Sequence, residues 1–341
     1  MRANRRTLLG LAAAAALAAA GGVQAQETTE LKIQSIWQAG SINQQVFERF
    51  AENVGKASGG RLTVTPLPVG AVVAYNETLE AVGSGILEGQ HSAPAYFAGR
   101  EPGMALLADL NAAYENPYQL TDWVYEHGGL EIAREMYADF NLFYVGPVLW
   151  GMESIPSKKR VATVEDFQGM KLRMPEGTAS EIFRNIGAAP VNIPGAEVYT
   201  SLERGVIDGA DWGTLSMNQD LGFHKIAPYP IYPGLHSMPM GEVAINLDTW
   251  NGLPDDLKTI FEMAVRDFNY DMIRTMASAD LEAVAAARAD GAELVDWSDE
   301  ERRKLRRVAA EVWREFGGRS EMAGKVVDSH VAYLKSLGLI E

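Results

Sequence analysis

The chain contains no cysteine. Disulfides, thiolate metal sites and cysteine nucleophiles are thereby excluded, and stability must come from burying a core. Positive charge is scarce too: 30 lysines and arginines face 45 aspartates and glutamates, a formal net charge of −15. Such an acidic chain carries no electrostatic footprint for nucleic acid or an anionic bilayer. Beyond residue 25, no apolar run approaches the ~20 residues a membrane span needs. Enzyme signatures are missing as well. There is no Gly-x-Ser-x-Gly elbow, no Gly-x-x-x-x-Gly-Lys phosphate loop and no His-Glu-x-x-His pair. His91, His127, His224, His236 and His330 are scattered without metal-ligand spacing. His127 precedes Gly128-Gly129 and reads as a helix C-terminal residue. His330, on a charged terminal helix, reads as solvated or interfacial. His91 and His236 stand near expected strand ends, where contact with a ligand is open.

What is present begins with a leader. Arg2, Arg5 and Arg6 precede an apolar run over residues 8–20, and Val23-Gln24-Ala25 offers small residues before a cut at Gln26. This is the layout of a secretory signal, and Arg5-Arg6 within it fits the twin-arginine type. Removing residues 1–25 takes away three arginines and no acid, so the formal charge moves from −15 to −18. The expected product is an exported, soluble chain of more than 300 residues, a length that usually splits into two lobes.

Residues 31–37 and 62–65 read as strands, separated by a helix with Ile42, Val46, Phe47, Phe50, Ala51 and Val54 on one face. A helical pattern near 76–82 leads to a strand near 90–92. The same rhythm returns as strand 140–145, helix 178–186, strand 189–192, helix 196–204 and strand 209–212, with further extended segments at 229–232 and 243–246. Pro254 opens a long helix with Leu257, Ile260, Phe261, Ala264 and Phe268 inward, and Ser298 caps another. Alternating strands and helices predict an α/β fold with helices on the faces of mixed or parallel sheets. Ligands bind such sheets at the carboxyl ends of their strands.

One block stands out. Glu165-Asp166-Phe167-Gln168-Gly169-Met170-Lys171-Leu172-Arg173-Met174-Pro175 is followed by Leu202-Glu203-Arg204-Gly205-Val206-Ile207-Asp208-Gly209-Ala210-Asp211-Trp212. Arg173 sits at the end of a short apolar strand cut off by Pro175. A cation there needs an anion, either a ligand or the nearby Glu165 or Asp166.

This block resembles the solute-binding proteins of tripartite ATP-independent periplasmic (TRAP) transporters, the DctP-like family, nearest to its keto-acid and carboxylate binders. Phe50-Ala51-Glu52, Ser58-Gly59-Gly60-Arg61-Leu62, residues 67–73, residues 80–85 and residues 221–227 are similar as well. The resemblance implies a two-lobe periplasmic binding protein fold with a hinge and C-terminal helices. Residues 1–25 would be the signal peptide, 26–148 mainly lobe 1 and 149–246 mainly lobe 2. Residues 247–341 would form a helical segment that crosses and closes the lobes.

It also implies roles. Arg173, in Lys-x-Arg-x-Pro, would hold the substrate carboxylate through two parallel hydrogen bonds. Trp212 would wall the pocket, Met152 would trim it, and Tyr96 would be a pocket-facing aromatic. Asp211 would sense a hydroxyl or keto group, or help to hold a Na+ or Ca2+ ion bridging to the substrate. Asp211 with Trp212 and Ser237 is then the metal set, although Ser237 is a weak donor for a hard cation. The implied function is periplasmic capture of an organic acid, without catalysis, for delivery to the small and large TRAP membrane subunits. An exported lyase or isomerase and a ligand-presenting sensor are the rival readings. The terminal helices allow either a monomer or a helix-swapped dimer.

Overall fold

The computed structural model describes residues 28–341, so the expected leader lies outside the described residues. The chain enters as β1 (Thr29–Ser35), which alternates inward Leu31 and Ile33 with Glu30 and Lys32. The Ser41 side chain accepts from the Gln44 amide at 3.3 Å and so caps α1 (Ile42–Ala57). That helix buries Val46, Phe47, Phe50, Ala51 and Val54, the face expected from spacing. Then follow β2 (Leu62–Leu67), α2 (Thr78–Gly83), β3 (Gly89–Ser92), α3 (Gly103–Ala108), α4 (Pro117–Glu126), α5 (Gly129–Ala138) and β4 (Leu142–Leu149).

From β4 the chain leaves for a smaller lobe. There it forms β5 (Lys171–Arg173), α6 (Thr178–Asn185), β6 (Ala189–Val191), α7 (Val198–Glu203), β7 (Gly209–Ala210) and α8 (Leu215–Asp220). It returns as β8 (Met240–Asn246). Thus the segment expected to be mainly lobe 2, 149–246, ends in a strand of the first lobe. The large sheet runs β2-β1-β3-β8-β4, and β8 is antiparallel to both neighbours, with His91 opposite Val243 and Leu149 opposite Met240. The small sheet, β6-β5-β7, is parallel throughout. The two crossings run side by side: the Glu153 amide donates to the Ser237 carbonyl at 2.9 Å, and Ile155 bridges Ile231.

Helices complete the closure. After α9 (Leu247–Gly252) comes α10 (Asp255–Ala289), whose 35 residues make a rod of about 50 Å at 1.5 Å per residue. It buries Leu257, Phe261, Val265, Phe268 and Met272. Near its middle, Asp271 pairs with Arg49 of α1 at 2.8 Å. Further on, Asp280 accepts from the amide and hydroxyl of Ser216 in α8. One helix therefore clasps both lobes. Next, α11 (Asp299–Gly317) is capped by Ser298 as expected, and α12 (Glu321–Ser336) packs with it against α3 on the same chain. His127 caps the C-terminus of α4, as its glycines imply. His330 departs from expectation: it is fully buried, bonded to the Tyr114 hydroxyl at 2.6 Å and stacked on Trp123. Its charged helix hides an inward stripe that composition does not reveal.

Candidate functional site

Arg173 ends the central strand of the small parallel sheet, opposite Val191 on one side and Ala210 on the other. The carboxyl end of such a strand is where open α/β sheets receive ligands. Its Nε donates to the Ile193 carbonyl at 3.2 Å and Nη1 donates to the Asp211 carbonyl. Its guanidinium carbon lies 5.2 Å from the Trp212 ring centre. No carboxylate pairs with it among the described residues. Glu165 pairs with Lys304 instead, and Asp166 accepts from the Ala162 and Thr163 amides. Both acids offered as its internal partners are thus taken elsewhere. The guanidinium is held by carbonyls, which fix its direction without neutralising its charge, and Nη2 has no partner among the described residues.

Trp212 is partly buried and, like Val191, Ile193 and Ile226, packs against the small core of Val198, Leu202, Ile207, Ala210, Phe223 and Ala227. Its ring lies so close over Gly195 that a Cβ at that position would come within 2.1 Å of it. Tyr96 comes from the first lobe, on the short turn Pro94–Phe97, and stands edge-on to Tyr75 at 4.7 Å. It is 46% exposed, yet desolvation is the main cause pushing its hydroxyl up to about 12. Tyr75, Glu153 and Glu242 reinforce that rise while the charge of Arg173 opposes it.

Behind Arg173 lies a buried polar cluster. Asp109 follows α3, Glu153 lies on the outgoing crossing, Asp211 follows β7, and His236 and Ser237 lie on the returning crossing. Asp211 Oδ1 is 3.2 Å from His236 Nε2. Burial alone would raise the Asp211 carboxyl, but His236, a hydrogen bond from Glu153 and the charge of Arg173 hold it below the ordinary carboxylate range. Glu153 moves the other way: burial and the negative charge of Asp211 push it well up. Burial also raises Asp109, to about 7, against a hydrogen bond from Ser237. Ser237 Oγ lies 2.7 Å from Asp109 and 2.9 Å from Glu153. One hydroxyl proton cannot serve two carboxylates, so one of these acids carries a proton.

The expected residues therefore separate into two groups. Arg173 and Trp212 stand together at the carboxyl end of the small sheet, and Tyr96 stands on the first lobe. Met152 borders a hollow of about 10 Å³ with Asp109, His236 and Ser237, on the acid side. A larger hollow of about 280 Å³ lies between the crossings and α10, walled by Trp150, Met152, Tyr232, Ile273 and Asp280. Asp211 joins the two groups, its carbonyl serving Arg173 and its carboxyl the cluster. Ser237 is engaged by two acids, and beside Asp211 one ligand atom each of Glu153 and His236 lies within 4.8 Å of the others. His91 is no ligand contact: Nε2 accepts from Trp37 Nε1 at 2.9 Å and Nδ1 donates to the Glu242 carbonyl at 3.0 Å.

Sequence reasoning missed Asp109 and Glu153. Their signal was an acid set directly after an apolar run, Met104-Ala105-Leu106-Leu107-Ala108 and Val148-Leu149-Trp150-Gly151-Met152. Gly195 and the Ile193 carbonyl were also missed, and neither has a residue-type signature.

Residues 33–319 match the family described as bacterial extracellular solute-binding protein, family 7, DctP. The chain belongs to that family. It is a TRAP-type solute-binding protein with the family's two-lobed α/β fold. Over 296 residues, 85% of this chain and 80% of the relative, it is 29% identical to the monocarboxylate 2-oxoacid-binding periplasmic protein of a Nostoc species. A TRAP periplasmic solute-binding protein from Rhodobacter sphaeroides, solved apo and open, is 42% identical with a TM-score of 0.85, covering 91% of this chain and 99% of its own. A Pseudoalteromonas atlantica protein solved with sodium and pyruvate is 26% identical with a TM-score of 0.75, covering 91% and 95%. Members of this family bind substrates and are not enzymes.

Proposed function

We propose that this chain captures a small organic acid between its lobes, with Arg173 holding the carboxylate, and delivers it to a TRAP membrane permease. One observation carries the reading: a guanidinium oriented by two backbone carbonyls, at the end of a parallel strand, with no acid of its own among the described residues. Trp212 supplies the apolar wall and Tyr96 approaches from the opposite lobe. The 2-oxoacid binder of Nostoc and the pyruvate complex support a short carboxylate as cargo. Closing the lobes would complete the site, so ligand shifts a hinge equilibrium. Export through the leader of residues 1–25 to the periplasm belongs to the same reading, in line with the periplasmic relatives.

Titration calorimetry against monocarboxylates and 2-oxoacids tests the anchor. Removing one partner of a buried charge pair costs roughly 2–5 kcal/mol. Arg173→Ala should therefore weaken binding by on the order of a hundredfold or more, while its unfolding curve stays in place. Near-normal affinity in that variant would sink the assignment.

A Na+ or Ca2+ bridge fits these residues only in part. Asp211 offers a carboxylate beside Arg173, but the Ser237 hydroxyl is engaged by Asp109 and Glu153. The donors that remain beside Asp211 include an imidazole, which hard cations do not favour.

A further inference from the structure

The mismatch with a hard cation points elsewhere. We propose that Glu153, Asp211 and His236 form a binding site for one divalent first-row transition metal of the zinc and cobalt class. The three residues each present one ligand atom, and these atoms all lie within 4.8 Å of one another. Two donors on a tetrahedral zinc lie roughly 3.3 Å apart, given bonds near 2.0–2.1 Å. Asp211 Oδ1 and His236 Nε2 already stand at 3.2 Å.

His236 supplies the independent observation. It is 1% exposed, and neither ring nitrogen has a hydrogen-bond partner among the described residues. Its Nε2 lies 3.2 Å from Asp211 Oδ1 without the alignment of a hydrogen bond, and a ring protonated on Nδ1 would turn the Nε2 lone pair towards the carboxylates. Burying such a group unpartnered is costly, and a metal ion removes that cost. Neither Glu153 nor Asp109 forms an ion pair among the described residues, and His236 is the only salt-bridge partner of Asp211 there.

Donor chemistry selects the ion. Imidazole suits zinc, copper, iron and nickel, whereas calcium takes six to eight oxygens and magnesium keeps several waters. An outer shell is in place: Ser237 Oγ lies 2.9 Å from Glu153 Oε2 and can orient that ligand. The hollow of about 10 Å³ beside His236, Asp109 and Ser237 has room for one water, which could complete the coordination or partner the second ring nitrogen. The site is separate from the carboxylate reading, because all three ligands belong to the protein.

The test uses tag-free, metal-stripped protein with no carboxylate added. Zinc should be taken up at one ion per chain and raise the melting temperature. Cobalt should do the same and develop ligand-field absorption in the visible. His236→Gln should weaken zinc and cobalt binding by about a hundredfold or more, since even outer-shell changes cost ~10–100-fold. Any response to calcium should be unchanged in that variant. If His236→Gln fails to melt cooperatively, Asp211→Asn serves under the same expectations. No uptake, calcium binding as tight as zinc, or an unaltered cobalt spectrum in the variant would each overturn the proposal. Arg173→Ala should keep the metal while losing the organic acid, so failure of one reading is distinguishable from failure of the other.

Discussion

Two arginines of this protein make nearly the same contacts and end in opposite states. Arg306 in α11 donates from Nε to the Ala112 carbonyl at 3.1 Å and from Nη1 to the Leu339 carbonyl at 3.5 Å. Arg173 likewise gives Nε and Nη1 to carbonyls. The difference is Nη2. In Arg306 it meets Glu115 at 3.2 Å; in Arg173 it meets nothing among the described residues. Arg306 is 3% exposed and finished, a strut between the 112–115 segment and the terminal helices. Arg173 is oriented but incomplete. A guanidinium fixed by neutral oxygens and left without an anion is prepared for one that arrives from outside.

Swapping the two truncations tests that contrast most strongly. Arg306→Ala strips the buried Ala112 carbonyl and the part-buried Leu339 carbonyl of a donor, at roughly 1–3 kcal/mol for a buried group left unsatisfied. Glu115 adds little, because its side chain is half exposed. Urea unfolding should show a loss of about 2–3 kcal/mol, with carboxylate affinity within about threefold of the parent, below one factor of ten per ~1.4 kcal/mol. Arg173→Ala should do the reverse. If Arg306→Ala weakened binding as much as Arg173→Ala, the strut and the anchor would not be separate things.

The same contrast recurs in two buried histidines. His91 has both nitrogens satisfied, by Trp37 and by the Glu242 carbonyl, whereas neither nitrogen of His236 has a hydrogen-bond partner among the described residues. Burial lowers His91 to about 4 from the usual 6.5. It is therefore neutral when folded, and the tautomer with the proton on Nδ1 fits both contacts. Between those two pH values the unfolded chain binds a proton that the folded chain refuses. Stability is then lost as pH falls from about 6.5 towards 4. Asp109 and Glu242, raised to about 7 and about 8 by burial, act oppositely: their penalty grows as pH rises from ~4. They are present in parent and variant alike. Unfolding free energies measured at pH 7.5 and 5 should thus fall by about 2 kcal/mol less in His91→Gln than in the parent. An identical drop in both proteins would mean that His91 does not titrate as its burial demands.

Much of this was readable in the residues, for reasons that can be named. Periodicity marked the buried face of α1, and Ser298 marked a helix start, because those signals are local. Arg173 was readable because a charge at the end of an apolar strand contradicts its surroundings. Arg306 was not, since it sits among Arg302, Arg303, Lys304 and Arg307, where a charge is ordinary and only packing decides which one turns inward. His330 failed for the same reason. The return of β8 between β3 and β4 is a long-range pairing, and the segment after residue 239 gives no local sign of which sheet it will join. The acid cluster draws its members from residues 109, 153, 211 and 236, too far apart for any spacing rule to unite them.

The finest test of the comparison is Gly195. Orientation of Arg173 rests on two carbonyls and on the face of Trp212, 5.2 Å away. That face is available because the indole lies directly on the backbone at Gly195, where an added methyl would meet the ring at 2.1 Å. Gly195→Ala must push the indole out from under the guanidinium. Cation–π contact of this kind contributes about 0.5–2 kcal/mol, so carboxylate affinity should fall by roughly tenfold and tryptophan fluorescence should shift. The partly exposed ring makes a large change in stability unexpected. Unchanged affinity with a shifted spectrum would mean that the Ile193 and Asp211 carbonyls alone set the direction of Arg173. The parallel with Arg306, which has no ring among its polar contacts, would then be closer than the present contrast allows.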